Sequence, residues 1–428
     1  MDTEINEITE TPTRKTLLER IYSILRKSER FTKTDMVYLT KGSFWLFFGQ
    51  GITALSSFLL AIACAHFLPK ETYGDYKYII SISGIVLTFT LTGLGTAVAQ
   101  AVARGFDGTF KKAIPISLKW NIFMVLGSLV GAGYYLFNDN YTLGISLIII
   151  AVISPFLKAA ELYDAYLGGK KDFKKSSLFN SFEDTLSALA FFIAILFTDN
   201  VIILVGVFFG INLLTKSFFY FKTSRTILPD APVDYSAFSF GKHLSVINIW
   251  LNISAQIDKV IIYHYLGAAE LATYAFATAI PKQVRSFIGM LGPLAMPKLA
   301  ERDIEQIKKS VPRKFLLSLT VLVPAVIIYI LLAPYIYQTF FPQYMDAVFY
   351  SQIYATFILL MGNLSEVALT AKQSVKEKYY ISVGMSILNT ILMLVLVHPL
   401  GALGVVLAIV ITKYITALLS FTLLRNIK

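Results

Sequence analysis

The chain has 428 residues, a formal net charge of +11, a hydrophobic fraction of 56% and only 15% charged residues, with a mean hydropathy of +0.64; in soluble proteins about a quarter of residues are charged. With ~20 apolar residues per span, this length holds about a dozen membrane helices and short connections, and leaves no room for a separate soluble domain. One cysteine, Cys64, excludes an intrachain disulfide, and the composition argues against thiol and metal chemistry.

Residues 1–40 form a polar, basic stretch in which acids and bases are mixed, so a cytoplasmic tail is expected rather than a cleavable signal peptide. Within it Leu17, Leu18, Ile21, Ile24 and Leu25 recur at helical spacing among Arg and Lys. This reads either as an amphipathic helix on the anionic inner leaflet or as a partly disordered leader. Apolar segments then follow at roughly 43–66, 78–102, 114–136, 142–166, 178–197 and 201–221, and again at 242–266, 272–296, 315–335, 346–370, 379–398 and 401–424. The expected class is an all-α membrane protein of about twelve transmembrane helices: a six-helix lobe over 41–222, a cytoplasmic linker over 223–241 and a second six-helix lobe over 242–428.

Basic residues decide between a nucleic-acid and a membrane reading of the +11 charge. They crowd every second connection: Arg104, Lys111 and Lys112, then Lys170, Lys171, Lys174 and Lys175, then Lys222, Arg225 and Lys242, then Lys308, Lys309, Arg313 and Lys314. The opposite side shows only Lys70 and Lys77. By the positive-inside rule both termini are cytoplasmic, in the plasma membrane, and no nucleic-acid partner is implied. The halves also echo one another. HFLPKETYGDYKYII (66–80) is matched by HYLGAAELATYAFAT (264–278), pairing His66 with His264 and Tyr76 with Tyr274 at an offset of 198. Two copies of one helical unit point to a transporter whose lobes rock about a shared site.

Connections on the sparsely charged side are short, the longest being 334–346. A membrane glycosyltransferase or polymerase would need sizeable external loops for its acidic residues, and no P-loop, zinc motif or nucleophile elbow is present. The chain is read as a non-enzyme that needs no cofactor or metal. A scaffold that recruits envelope enzymes through the basic tail is a further rival.

The stretches FLPKETYGDYKYI (67–79), QIDKVIIYHYLGAAELATYAFA (256–277) and YDAYLGGKKDFKKSS (163–177) resemble the Wzx-type polysaccharide-export flippases, of one superfamily with lipid II flippases and multidrug extrusion antiporters. The resemblance implies two pseudo-symmetric six-helix lobes around a central cavity. It also implies an undecaprenyl pyrophosphate-linked oligosaccharide as substrate, with the bilayer and envelope polysaccharide assembly proteins as further partners. The principal rival is a cation-coupled exporter of small drugs, but the first segment lacks the acid that proton-coupled relatives often carry there.

An ionisable residue at a helix centre costs roughly 2.5–3.5 kcal/mol on insertion scales, so each is a functional candidate. Lys282 and Arg285, on one helical face after Pro281, are expected to hold the pyrophosphate, Arg as a planar fork and Lys as a point charge. Lys413 is a cavity candidate in the last segment, and Lys259 a further substrate contact. Asp258 is the candidate for proton or sodium coupling; being adjacent to Lys259, it is expected to point about 100° away from it. Lys158, Glu161 and Asp164 at three-residue steps, with Glu183 and Asp184, read as self-neutralising pairs or as an inner gate. Lys216 is expected to snorkel, and Tyr329, Tyr335, Tyr337 and Tyr344 to form an aromatic belt or a sugar platform.

Overall fold

The computed structural model describes residues 36–289, 303–372 and 374–426. The tail up to residue 35, with its amphipathic pattern, lies outside the described residues, as do Pro293 and Pro297. Among the described residues every regular element is helical. The first half comprises α1 (Met36–Phe67), α2 (Lys70–Val86), α3 (Leu94–Ala103), α4 (Gly108–Trp120), α5 (Ile122–Phe137), α6 (Tyr141–Ala160), α7 (Leu162–Gly169), α8 (Phe173–Phe197) and α9 (Val201–Ser224). After a linker over 225–235 come α10 (Ser236–Ser254), α11 (Ile257–Leu266), α12 (Ala268–Gly289), α13 (Ile304–Phe340), α14 (Ala347–Ala355), α15 (Ser365–Ala371), α16 (Val375–Tyr379) and α17 (Met385–Asn426).

Seven helices among the described residues are long and apolar enough to cross a membrane, and the bent pairs α2/α3 (58°) and α14/α15 (44°) raise this to nine. The last of the seven is two spans, because Gly401 breaks α17 with φ 58° and ψ −140°, a conformation open to glycine. What remains of the twelve-span plan is α10/α11 and α12, which fall outside that test and carry Asp258, Lys259, Lys282 and Arg285. The protein is a multi-pass membrane protein.

Turn chemistry sets the short connections. Asn140 caps α6 by accepting from Leu143 N (3.0 Å), and Asn200 caps α9 by accepting from Ile202 N (2.9 Å). The bend of the second span is backed by Thr88 and Thr90, whose hydroxyls donate to the Gly84 and Leu87 carbonyls. The loop expected over 334–346 is mostly helix: Pro334 sits inside α13, which runs to Phe340, so this connection is shorter still.

Two ends can be told apart, a basic end with the charged connections and a bare end with the short ones. At the bare end one core joins both halves, from Cys64, Leu68 and Ile79 to Ile262, Tyr337 and Tyr344. Tyr337 and Tyr344 are fully buried in it, so they form neither a belt nor an open platform; Tyr335 alone is broadly exposed. Toward the basic end the cores separate. One around Leu94, Phe110 and Tyr163 serves the first half, and one around Ile307, Leu369 and Leu424 serves the second. The α2/α3 span runs antiparallel to α10/α11 along its length, Asp75 meeting Tyr263, Gly84 meeting Gln256 and Gly93 meeting Ser245.

Candidate functional site

α10 ends at Ser254 and the chain turns at Ala255 and Gln256 before α11 starts, which places Asp258 in a first helical turn. Asp258 is only 6% exposed. Its Oδ2 accepts from the Tyr274 hydroxyl at 2.6 Å and its Oδ1 lies 3.3 Å from Lys259 Nζ, which also donates to Gln256 Oε1 at 2.9 Å. The two adjacent side chains therefore meet each other, contrary to the expected divergence: lysine is long enough to curl back over its neighbour.

Lys282 enters from α12, its Nζ 5.5 Å from the Tyr274 ring centre and 5.7 Å from that of Tyr354. Ring faces are negative, so the two tyrosines hold an ammonium without neutralising it. Within electrostatic reach of Lys282 lie Asp258, Lys259, Lys77 and Arg285. Lys77 comes from α2 in the other half, over the rings of Tyr73 (5.0 Å) and Tyr76 (5.7 Å). Lys259 and Lys282 thus lie beside one carboxylate, with Lys77 and Arg285 further out in reach of Lys282, and among the described residues no acid lies within ion-pair distance of Lys77, Lys282 or Arg285.

Arg285, near one turn further along α12, reaches past Lys282 to a cavity of about 680 Å³ in the second half. Its guanidinium lies 6.0 Å from the Phe357 ring centre. Lys413, Lys314, Asn363 and Glu366 line the same space. Lys413 is thus on a cavity wall, and Lys282 and Arg285 sit on neighbouring parts of the site rather than in one pocket.

The acidic candidates of the first half are all partnered within it. Lys158 pairs with Glu161 (2.9 Å), Asp164 accepts from Ser176 and Asn180, and Thr53 donates to Asp184 (2.7 Å). Glu183 is buried, 2.6 Å from Lys216 and 3.2 Å from the Tyr163 hydroxyl that donates to it. Lys216 is therefore inside, not snorkelling, because a buried carboxylate on α8 faces it.

Two basic residues escaped the sequence reading. Lys77 and Lys314 were counted with the connections, yet Lys77 stands on the third turn of α2 and Lys314 on the third turn of α13. For Lys77 the usable signal was its four-residue spacing from Tyr73, which puts ammonium and ring on one helical face.

The family model described as "Polysaccharide biosynthesis protein" matches residues 39–302. A Shigella flexneri protein named "Putative O-antigen transporter" is 24% identical over 336 residues, 71% of this chain and 77% of that one. Among solved structures, an inward-facing MATE family multidrug resistance transporter of the MOP superfamily superposes with a TM-score of 0.67 at 14% identity, covering 87% of this chain and 94% of the other. The lipid II flippase MurJ in an inward closed conformation gives 0.63 at 15% identity, covering 90% and 88%. The fold is therefore that of two six-helix lobes around a central cavity.

Proposed function

The chain belongs to the polysaccharide biosynthesis protein family, and from that premise we propose that it is a flippase carrying an undecaprenyl pyrophosphate-linked oligosaccharide across the plasma membrane by alternating access. In this reading both termini are cytoplasmic and the lobes 41–222 and 242–428 rock about the seat of the pyrophosphate. Lys282 and Arg285 hold that group, with Lys77 and Lys259 beside it and Lys413 further along the cavity wall. Asp258 keeps the empty site from being purely cationic and is the candidate for ion coupling. The acidic network of Lys158, Glu161, Asp164, Glu183 and Asp184 keeps the first lobe rigid near its basic end, where an inner gate would close.

The observation that carries this reading is the sign of the cluster: three further cations within reach of Lys282 and a single acid among them, at the boundary between halves, walled by tyrosines. Arg and Lys suit a pyrophosphate, which accepts several charge-assisted hydrogen bonds. An exporter of cations would need the opposite sign there. An inside-negative potential favours outward movement of an anion by roughly 2.3 kcal/mol per charge per 100 mV.

The test is flipping of a fluorescent undecaprenyl pyrophosphate oligosaccharide in proteoliposomes, with the double variant Lys282→Ala, Arg285→Ala beside the parent. Two lost contacts to a charged group, roughly 1.5–3 kcal/mol each, predict at least a ~100-fold slower rate in a variant that still folds. Equal rates would reduce the pair to structural charges.

A further inference from the structure

In the second half, the cavity of about 680 Å³ is bounded by four charged residues, Arg285, Lys314, Lys413 and Glu366. All four are exposed, and none has an ion-pair partner among the described residues. Lys413 lies within electrostatic reach of both Arg285 and Glu366, so these groups act on one volume. Three cations against one carboxylate leave two positive charges in excess. Ionisable groups inside a membrane span are unfavourable unless a partner or a pathway uses them.

Val321, Leu322 and Leu360 make much of the remaining wall apolar. Apolar walls lower the local dielectric and lengthen the reach of the cations. They also give hydrocarbon a place beside them. A neutral glycan would leave the excess uncompensated, and a cation would add to it. A headgroup with one negative charge would balance half of it. A diphosphate esterified at both ends keeps one negative charge on each phosphate, which matches the excess, and Arg and Lys are suited to phosphate oxygens. Where one of the esters is a prenyl chain, its first carbons meet the apolar wall. The volume suits such a fragment, since small-ligand clefts run from roughly 300 to 1,000 Å³.

We propose that this cavity is the seat of the carrier at the junction of prenyl chain and diphosphate, with Lys314 as a further substrate contact beside Arg285 and Lys413. Glu366 opposes the anion by like charge, which keeps the grip weak enough for the substrate to leave. The inference rests on the flippase reading and deepens it. Arg285 lines this cavity and also lies within reach of Lys282, so it joins the seat to the cluster around Asp258. The carrier is thereby recognised from its lipid side, and the sugars take no part in that step.

The experiment uses the full chain, purified in detergent, as the variant Cys64→Ala, Gly289→Cys. The native thiol is buried, and a Cβ at 289, on the cavity wall, meets nothing within 4 Å, so one label site results without a clash. The rate of maleimide labelling is read with farnesyl diphosphate, inorganic pyrophosphate and farnesol as probes. Farnesyl diphosphate at about ten times its dissociation constant should slow labelling about tenfold. Pyrophosphate should need a higher concentration, and farnesol should not protect. Adding Lys314→Gln should weaken farnesyl diphosphate about tenfold or more, without earlier thermal unfolding, since no ion-pair partner is stranded. Glu366→Gln should tighten it. No protection by farnesyl diphosphate, equal potency of pyrophosphate, protection by farnesol, or unchanged binding in the Lys314→Gln variant would each overturn the seat, as would weaker binding in Glu366→Gln. Flipping of the lipid-linked glycan by the parent protein separates the two ideas. Flipping without protection sinks the seat and keeps the flippase; protection without flipping does the reverse.

Discussion

Two seams join the halves, and the 198-residue repeat makes them equivalents; the structure does not treat them alike. Where α2/α3 meets α10/α11 contact runs from end to end: Tyr78 stacks on Tyr263 at 3.7 Å, Gly84 lies against Gln256, and Gly93 N donates to Ser245 Oγ at 2.9 Å. Small residues allow it, since a Cβ on Gly93 would strike the Gly241 carbonyl. On the other seam the aligned positions are Phe47 for Ser245, Phe58 for Gln256 and Lys282 for Gly84. There Phe58 packs against Phe340 and Phe341 at the bare end, while toward the basic end Trp45, Gly49 and Thr53 turn to α8 of their own half. Among the described residues one seam is zipped from end to end, and the other is closed at the bare end around Phe58, Phe340 and Phe341. On the flippase reading a lipid-linked substrate, whose tail stays in the bilayer, would need a side opening, and the Lys282 seam is the candidate for it.

The largest expected effect comes from Asp258, because its bond to Tyr274 ties α11 of the zipped seam to α12 of the other. Asp258→Ala strands Lys259 and Lys282 in a buried site. Removing one partner of a buried pair costs about 3–5 kcal/mol, which should appear as a large fall in thermal stability in detergent. A variant that melts with the parent would mean that the two seams are not mechanically linked through this bond. Next in size is Gly74→Val at the bare end, where a Cβ would run into the Ala268 backbone. Overpacking of this kind costs about 1–3 kcal/mol, and here it should pry α2 from α12, so that thiol reagents added from outside reach Cys64, which is 2% exposed in the parent. Unchanged protection of Cys64 would show that the bare-end seal does not depend on this contact. Smaller again is Tyr263→Phe, which keeps the ring stack and deletes the 2.7 Å bond to Asp75. About 1 kcal/mol is expected from one hydrogen bond whose acceptor can regain water, read as a modest shift in unfolding midpoint.

Much of this architecture could be read before any coordinates. Apolar run lengths marked the spans and the short connections between them; that Asn140 and Asn200 in those connections cap the next helices came from the structure. Charges in apolar runs drew attention to Asp258, Lys259, Lys282, Arg285 and Lys413, and those on α11 and α12 do converge. What could not be read was partnership. Whether Lys216 finds Glu183 depends on how α8 and α9 pack, and one-dimensional spacing is silent on that. Lys77 was masked by its nearness to a connection: hydropathy marks where apolar residues begin, at 78, whereas the helix itself starts earlier, at Lys70. The asymmetry of the seams was present in the repeat, as Gly84 against Lys282, but its meaning required knowing which helices touch.

The smallest expected effect is the most telling for the comparison. In Gly241→Cys, Ala97→Cys, on a Cys64→Ala background, the new Cβ at 241 would sit 3.3 Å from that of residue 97, close to the roughly 3.5–4.5 Å of a disulfide. The bond would fasten the zipped seam at its basic end. If that seam is a hinge that flexes without parting, oxidised protein should flip substrate nearly as fast as reduced protein, because a hinge needs rotation and not separation. If both seams part in each cycle, as strict twofold symmetry of the lobes would require, oxidation should arrest transport and a reductant should restore it. Arrest would refute the division into hinge and opening, and would make the Lys282 seam merely the one that opens first. Retained transport would place all headgroup passage on the side where the repeat exchanges glycine for lysine.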